Sequence, residues 1–264
     1  MTVTVTEPKK VEPKFDANQQ YQLDAIASVV NLFAGAQAEV QGATVDSLAV
    51  DSTLAAFDGT VYGNVLTLAS TSLQLNLRRV QTEQQIPPGM QRDFEFGEWP
   101  NDFAVEMETG TGKTYVYLRT IAELHQEYGF TKFLIVVPSP AILETVVWSL
   151  EALKEHLKTE YEGVQSDYYM AYDSKKVTGV RGFATSSALK IMVINIDKMN
   201  SADNIWNKPH EDLGWRSPRE YVEACQPIVI MDEPQSLDGP THVEAIKNVS
   251  PIVKLRYSAT HRRE

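Results

Sequence analysis

The stretch Phe-Ala-Val-Glu-Met-Glu-Thr-Gly-Thr-Gly-Lys-Thr at residues 103–114 constrains this chain more than any other. Residues 103–107 are mostly apolar and predict a buried strand, and the residues after Thr114 have the periodicity of a helix. A glycine-rich turn between a strand and a helix is the setting of a phosphate-binding loop. Its glycines let backbone N–H groups converge on an anion, and the helix adds the positive end of its dipole.

The predicted phosphate loop consists of six consecutive residues, which are Thr109, Gly110, Thr111, Gly112, Lys113 and Thr114. Lys113 can reach the β- and γ-phosphates and the Thr114 hydroxyl can hold Mg²⁺, so we expect a nucleotide and Mg²⁺ as cofactors. The pattern G-x-x-x-x-G-K-[ST] is incomplete, because Met107 occupies its first glycine position. A Gly-x-Gly-Lys-Thr turn alone is also compatible with an ordinary surface loop.

A second chemical element follows another apolar run at residues 227–231, where Asp232 and Glu233 come directly after a predicted strand. Ligands of parallel sheets bind beyond the carboxyl ends of the strands. We expect Asp232 to position Mg²⁺ and Glu233 to orient or deprotonate an attacking water. Two acids after a strand also fit a solvated turn. Together with Lys113, they are the predicted catalytic residues.

The rest of the chain alternates predicted strands with predicted helices, which indicates an α/β fold with a mainly parallel sheet and right-handed crossovers. Helices are predicted at residues 15–34, 114–128, from Ser139 and Pro140 onward, and after Ser217; further strands are predicted at residues 133–137, 167–172, 191–196 and 253–257.

Two candidate sites lie near the ends of the chain. The amide of Gln22, in the first helix, can donate to and accept from an adenine edge, although an exposed polar helix start is the alternative. Ser258 and Thr260 follow the last strand, and their hydroxyls could bond the acidic group or the γ-phosphate region. A simple strand-end turn is the alternative for them.

Residues 36–100 are read as an insertion, a hairpin or small sheet with β-like runs at 61–62 and 73–77 that ends in a loop. Residues 173–188 are polar and predict a loop. Residues 1–14 predict a flexible lead-in. Trp206 and Trp215 lie in a polar region, where burial against the sheet or a partner contact would explain them.

Composition bounds the remaining possibilities. The 264 residues are 43% hydrophobic and 22% charged, which is ordinary for a globular protein. We expect no membrane segment and a cytoplasmic location, and the single Cys225 excludes an internal disulfide. The net charge of −11 argues mildly against nucleic acid binding over the whole surface. Basic clusters at residues 78–79, 175–176 and 261–263 leave a local basic groove possible.

Several of these segments resemble the motifs of superfamily-two helicases in order and spacing along most of residues 15–264. Residues 108–114 resemble motif I, 232–235 motif II, 258–260 motif III, 137–142 motif Ia and 21–22 the adenine-reading glutamine motif. Residues 107–117 and 133–142, with the Asp-Glu-Pro-Gln sequence, look more narrowly like the restriction (Res) subunit of type III restriction–modification enzymes.

The resemblance implies an ATP-driven DNA translocase or helicase whose first RecA-like lobe covers residues 15–264. It implies DNA contacts by Pro138 and Ser139, coupling through Ser258 and Thr260, and a modification (methyltransferase) subunit as a partner. Family members also carry a second lobe with arginine fingers and a nuclease domain, so we expect this chain to be a shortened form or part of a split gene. A nucleotide-dependent switch or scaffold without a DNA role is the main alternative. A small-molecule kinase fits less well, because neither an arginine-bearing lid nor an acceptor site is evident.

Overall fold

A computed structural model of the protein describes residues 18–38, 60–87 and 101–259. Six strands and seven α-helices lie in these ranges, in the order α1 (Gln20–Leu32), α2 (Ser70–Glu83), β1 (Asp102–Glu106), α3 (Lys113–Tyr128), β2 (Lys132–Val137), α4 (Pro140–Glu160), β3 (Tyr169–Ala171), α5 (Thr178–Thr185), β4 (Lys190–Asn195), α6 (Pro218–Ala224), β5 (Ile228–Asp232), α7 (Pro240–Lys247) and β6 (Val253–Ser258). Within these ranges, no helix combines the length and the apolar composition that crossing a membrane requires.

All six strands form one parallel sheet in the order β1-β6-β5-β2-β4-β3. Because the strands are parallel, their carboxyl ends meet at one edge, as do the loops that follow them. Glu106 of β1 pairs with Ser258 of β6, and Asp232 of β5 pairs with Tyr257 of β6. The sheet therefore confirms the predicted parallel α/β architecture and brings the phosphate loop and the acidic pair to the same edge.

Helices cover both faces of the sheet, as the RecA-like expectation requires. Strand β2 is buried throughout, and its side chains alternate between two apolar clusters. Phe133 and Ile135 pack into the first cluster with α1, α3 and α4. Leu134 and Val136 pack into the second cluster with α5, α6 and α7. Each such side chain contributes about 1.5–3 kcal/mol when it leaves water, so the sheet centre is a rigid base for the site.

Helix ends follow the predicted capping residues. Ser139 caps α4, and its Oγ accepts a hydrogen bond from the Ile142 backbone at 3.3 Å. Ser217 and Glu220 form a capping box at the start of α6, where a helix was expected. Gly129 ends α3 in the left-handed conformation with φ of 71°.

Two stretches differ from the expectation. Residues 73–77, read as β-like, lie inside α2, and residues 178–185 form α5 within the stretch 173–188 that was predicted as a loop. Helix α2 packs beside α1, where the amide of Asn76 donates to the carbonyls of Leu32 and Ala34 at 2.9 and 3.0 Å. Asn76 thus satisfies carbonyls that the end of α1 leaves without helical partners.

Residues 61–64 are tied into the amino end of the sheet. The side-chain oxygen Oδ1 of Asn64 accepts hydrogen bonds from the backbone N–H groups of Thr131 and Lys132 at 2.8 and 3.1 Å. Its amide donates to the carbonyls of Lys132 and Gln226 at 2.7 and 3.3 Å. One buried side chain therefore bridges the segments that lead into β2 and β5.

The two tryptophans have different environments. Trp206 is 1% exposed and packs edge-on against Tyr172 at a ring-centroid distance of 4.9 Å. Trp215 is 73% exposed, and its φ of 62° is unusual for a residue with a large side chain. Trp206 is therefore buried, as one of the two interpretations predicted. For the exposed Trp215, contact with a partner stays a prediction. The lead-in 1–14 lies outside the described residues.

Candidate nucleotide-binding site

The phosphate loop connects β1 to α3 through a compact turn. Thr111 Oγ1 donates to the Glu108 carbonyl at 2.6 Å, which closes the turn. Gly110 and Gly112 have φ angles of 83° and 84°, and Gly112 is the residue that precedes the first turn of α3. Residues with side chains rarely adopt this left-handed conformation, so the loop shape depends on both glycines. Thr109 and Gly110 are exposed, and Thr111 to Thr114 are half-buried.

Lys113 and Glu233 meet across the carboxyl edge of the sheet. Lys113 is the first residue of α3, and its Nζ lies 3.5 Å from Oε1 of Glu233. The Lys113 side chain is 9% exposed and that of Glu233 is 31% exposed. Glu233 has the left-handed angles φ 53° and ψ 57°, which turn the chain sharply after β5. Backbone strain of this kind in a residue other than glycine is concentrated at functional sites.

Asp232 is the last residue of β5 and is buried with 6% exposure. Its Oδ2 accepts a hydrogen bond from Oη of Tyr117 at 3.2 Å. Burial raises the pKa of the Asp232 carboxyl, the Tyr117 hydrogen bond opposes that shift, and the negative charge of Glu233 adds to it. Burial also raises the pKa of Tyr117 well above its usual value, and the charge of Asp232 adds to this shift. The site thus holds a carboxylate that a cation would stabilise strongly.

Gln22 reaches the phosphate loop from α1. Its Nε2 donates to the Thr111 carbonyl at 2.8 Å, and Tyr21 Oη donates to the same carbonyl at 3.3 Å. Gln22 is 7% exposed, and its Oε1 is buried with no hydrogen-bond partner. A buried unpaired acceptor is costly, so this oxygen fits a ligand that donates a hydrogen bond, as the amino group of adenine does.

Ser258 joins the acidic element through Gln235. Ser258 Oγ donates to Oε1 of Gln235 at 3.3 Å, and Gln235 Nε2 donates to Oε2 of Glu233. The Ser258 carbonyl accepts from the Met107 backbone N–H at 2.9 Å, directly before the phosphate loop. Ser258 is therefore linked both to the loop and to the acidic pair. Thr260 lies outside the described residues.

Pro138 and Ser139 lie at the carboxyl end of β2, on the same edge of the sheet, and both are half-buried. The Ser139 hydroxyl oxygen is engaged as the cap of α4. A DNA contact by these residues stays a prediction.

The sequence did not assign roles to Tyr117 and Gln235. Tyr117 follows Thr114 by three residues on a predicted helix, so the two side chains share one face, and this spacing was the available signal. Gln235 carries no comparable signal, because its bonds to Glu233 and Ser258 depend on the turn after β5.

The residues fit a nucleoside triphosphate with Mg²⁺. The left-handed glycines form the loop, Gln22 offers a buried unpaired acceptor, and Lys113 offers a cation. The Thr114 hydroxyl and the Asp232 carboxylate are hard oxygen donors, which Mg²⁺ prefers. Fold and site together define the class of P-loop nucleotide-binding proteins.

The particular family follows from comparison with known sequences. Residues 18–263 match the family model of the type III restriction enzyme, res subunit, and the chain belongs to this family. The chain is similar to the Res subunit of the StyLTI type III restriction-modification enzyme of Salmonella typhimurium strain LT2, with 33% identity over 175 residues, 59% of this chain and 18% of that protein. It is also similar to the EcoPI Res subunit of Escherichia phage P1, with 27% identity, covering 93% of this chain and 26% of that protein.

The chain thus spans about a fifth to a quarter of the length of these curated relatives. Among solved structures, it is similar to the UvsW helicase from bacteriophage T4, with a TM-score of 0.40 and 13% identity, covering 62% of this chain and 48% of that one.

Proposed function

We propose that the chain is the ATP-binding, ATP-hydrolysing first motor lobe of a DNA helicase or translocase, within the restriction subunit of a type III restriction–modification system. The observation that carries the proposal is the convergence of Lys113 with Glu233 and Asp232 at one edge of the sheet, with Lys113 and Glu233 in direct contact at 3.5 Å. Membership of the res subunit family supports the biological setting.

Each residue has a proposed role in holding the nucleotide. Residues 109–114 surround the triphosphate, and the Lys113 ammonium neutralises its terminal phosphates. Gln22 contacts adenine through its unpaired Oε1. Thr114 and Asp232 are the protein oxygens for Mg²⁺, which when bound neutralises charge on the phosphates. Glu233 orients the attacking water and accepts its proton.

The proposal also covers DNA contact, coupling and partners in the whole enzyme. Residues 15–264 form the first RecA-like lobe, and Pro138 and Ser139 contact the DNA backbone. Ser258 and Thr260 couple the nucleotide state to that contact, and a modification subunit is the protein partner. In the whole enzyme, an arginine finger from a second lobe would add about 10³–10⁵ in rate, so we expect the chain alone to bind Mg-ATP weakly and hydrolyse it poorly.

A calorimetric titration with a non-hydrolysable ATP analogue and Mg²⁺ tests the proposal. We expect saturable binding by the wild-type chain and loss of that binding in Lys113→Ala. Lys158→Ala is the matched control, because Lys158 lies on the far part of α4 and pairs only with Glu155 among the described residues. Binding that survives in Lys113→Ala, or is absent from the wild type, would contradict the proposed phosphate site.

The net charge of −11 favours the second candidate function, a nucleotide-dependent switch or scaffold without a DNA role. Salt-dependent DNA binding distinguishes the two functions, because contacts with phosphates weaken steeply as the salt concentration rises. Neutralising His261, Arg262 and Arg263 should weaken DNA binding if the chain belongs to a DNA motor. A chain that binds Mg-ATP but shows no DNA affinity at low salt would favour the switch.

A further inference from the structure

The phenol of Tyr117 stands between the two side chains that the proposed function assigns to Mg²⁺. Tyr117 is fully buried on α3, about one helical turn after Thr114. Its Oη donates a hydrogen bond to Oδ2 of Asp232 at 3.2 Å. This hydrogen bond joins α3 to the end of β5, and Thr114 lies on the same face of α3 as Tyr117.

The arrangement of these side chains determines where the hydroxyl protons can lie. A threonine hydroxyl binds a metal through an oxygen lone pair, so its proton must be donated to another acceptor. The Tyr117 oxygen, on the same face of α3, can be that acceptor for Thr114. The proton of Tyr117 itself points to Asp232 and occupies one of the roughly four lone-pair sites of that carboxylate. Thr114 therefore keeps its lone pairs, and Asp232 keeps other lone-pair sites, for a cation.

The ring of Tyr117 is also fixed in place. It packs against the ring of Tyr257 at a centroid distance of 5.5 Å and an interplanar angle of 59°. Both side chains are fully buried in the first apolar cluster. Because the packed ring holds its hydroxyl in place, the hydrogen bond to Asp232 restrains the orientation of that carboxylate.

We propose that Tyr117 is a positioning residue, which orients Thr114 and Asp232 so that both present oxygen lone pairs to one Mg²⁺ ion. This inference rests on the proposed function, since it assigns a role toward the same metal. Tyr117 does not touch the nucleotide in this role, and it acts only through Thr114 and Asp232.

The test measures how nucleotide binding depends on Mg²⁺ in Tyr117→Phe, a variant that removes only the hydroxyl. A fluorescent ATP analogue is titrated in EDTA and over a series of Mg²⁺ concentrations. Loss of a residue that orients metal ligands weakens metal binding by about 10–100-fold, so we expect the Mg²⁺ midpoint to rise at least about tenfold. Affinity for the analogue in EDTA should stay at the wild-type value, which a general structural defect would not allow.

Tyr257→Phe is the matched control, because it removes a buried hydroxyl from the neighbouring ring without touching Thr114 or Asp232. Its Oη donates instead to Thr120 Oγ1 at 3.4 Å. We expect a wild-type Mg²⁺ midpoint in Tyr257→Phe, and circular dichroism shows whether both variants fold.

The outcomes separate this inference from the proposed function. A wild-type midpoint in a folded Tyr117→Phe variant would overturn the positioning role alone. An equal loss of affinity with and without Mg²⁺ would also overturn it, because it would mark a structural role. No Mg²⁺-dependent binding by the wild type would overturn the proposed function and this inference with it. Should Tyr117→Phe not fold, the same titration with Tyr117→His, whose ring N–H can donate to Asp232, and Tyr117→Met, which has no donor, gives the comparison. A raised midpoint in Tyr117→Met alone would support the positioning role, and equal midpoints would overturn it.

Discussion

The Nζ of Lys113 lies 3.5 Å from Oε1 of Glu233, so the cation proposed to bind phosphate and the acid proposed to activate water are paired with each other. The Lys113 ammonium is largely removed from solvent, and the glutamate balances its charge. A triphosphate that enters the loop must compete with Glu233 for Lys113. This competition makes nucleotide affinity and the charge of Glu233 interdependent.

Glu233→Gln should therefore bind the Mg-ATP analogue more tightly than the wild type. The amide removes the negative charge that holds Lys113 and repels the phosphates, and a gain of about 3–5-fold corresponds to ~1 kcal/mol for a partly exposed ion pair. Calorimetry measures the change. Glu244→Gln, the same substitution on the exposed side of α7, is the control and should leave affinity unchanged. Weaker binding by Glu233→Gln would show that the ion pair does not compete with the nucleotide.

Gly110→Ala and Gly112→Ala should differ in stability although the two glycines have nearly equal φ angles of 83° and 84°. An added Cβ meets nothing within 4 Å at Gly110, whereas at Gly112 it would lie 2.7 Å from Nε2 of Gln22. Both variants carry the cost of the left-handed conformation, about 1–3 kcal/mol. Gly112→Ala also displaces the Gln22 amide, whose hydrogen bond to Thr111 is worth ~1 kcal/mol.

Urea unfolding of the single variants and of Gln22→Ala/Gly112→Ala measures this difference. In the Gln22→Ala background, Gly112→Ala should cost no more than Gly110→Ala, because the displaced amide is gone. Equal costs for the two single variants would show that Gln22 yields to the new methyl group without losing its bond.

The buried Lys132 should make stability depend on pH in the alkaline range. Its Nζ donates to the carbonyl of Ser186 at 2.6 Å and has no carboxylate partner among the described residues. Burial, with a smaller effect of the neighbouring Lys190 charge, lowers its pKa from 10.5 to about 8. Between these values the unfolded chain holds a proton that the folded chain has lost, so the free energy of unfolding rises with pH, by at most ~1.4 kcal/mol per pH unit.

Lys132→Met removes this titration. As the pH rises from 8 to 10, we expect the free energy of unfolding of the wild type to increase relative to that of Lys132→Met. Urea unfolding at several pH values measures both curves. Parallel curves over this range would mean that Lys132 titrates alike in the folded and unfolded chains.

The centre of the sheet was predictable because strands β2, β4 and β5 are buried on both faces. Strands β2, β4 and β5 contain continuous apolar runs, in which neighbouring side chains point to opposite faces. Only a sheet that is covered on both faces buries all of these side chains. Once these strands are parallel, their carboxyl ends coincide, and Lys113 and Asp232 must approach each other. The order of motifs therefore determined the position of the site, although not its hydrogen bonds.

Helix α2 was not predicted, because its pattern of apolar and polar residues also fits a strand. Leu73, Leu75 and Leu77 alternate with polar residues, which favours a strand with one buried face. In the structure Leu73 is buried while Leu75 is 67% exposed, so packing against α1 overrides the alternation. Helix α5 is short and contains Gly179 and Gly182, so its intrinsic helix propensity is weak. Both helices depend on contacts with distant segments, which local sequence does not reveal.

Asn64 sets a limit on how this protein can be re-engineered. Its side chain completes the hydrogen bonds of Thr131 and Lys132, immediately before the most deeply buried strand. Excising residues 36–100 as a dispensable insertion would leave these backbone donors without partners in the interior, at a cost of about 1–3 kcal/mol each. A minimal version of this domain, whether for crystallisation or for joining to the proposed second lobe, has to retain residues 61–64.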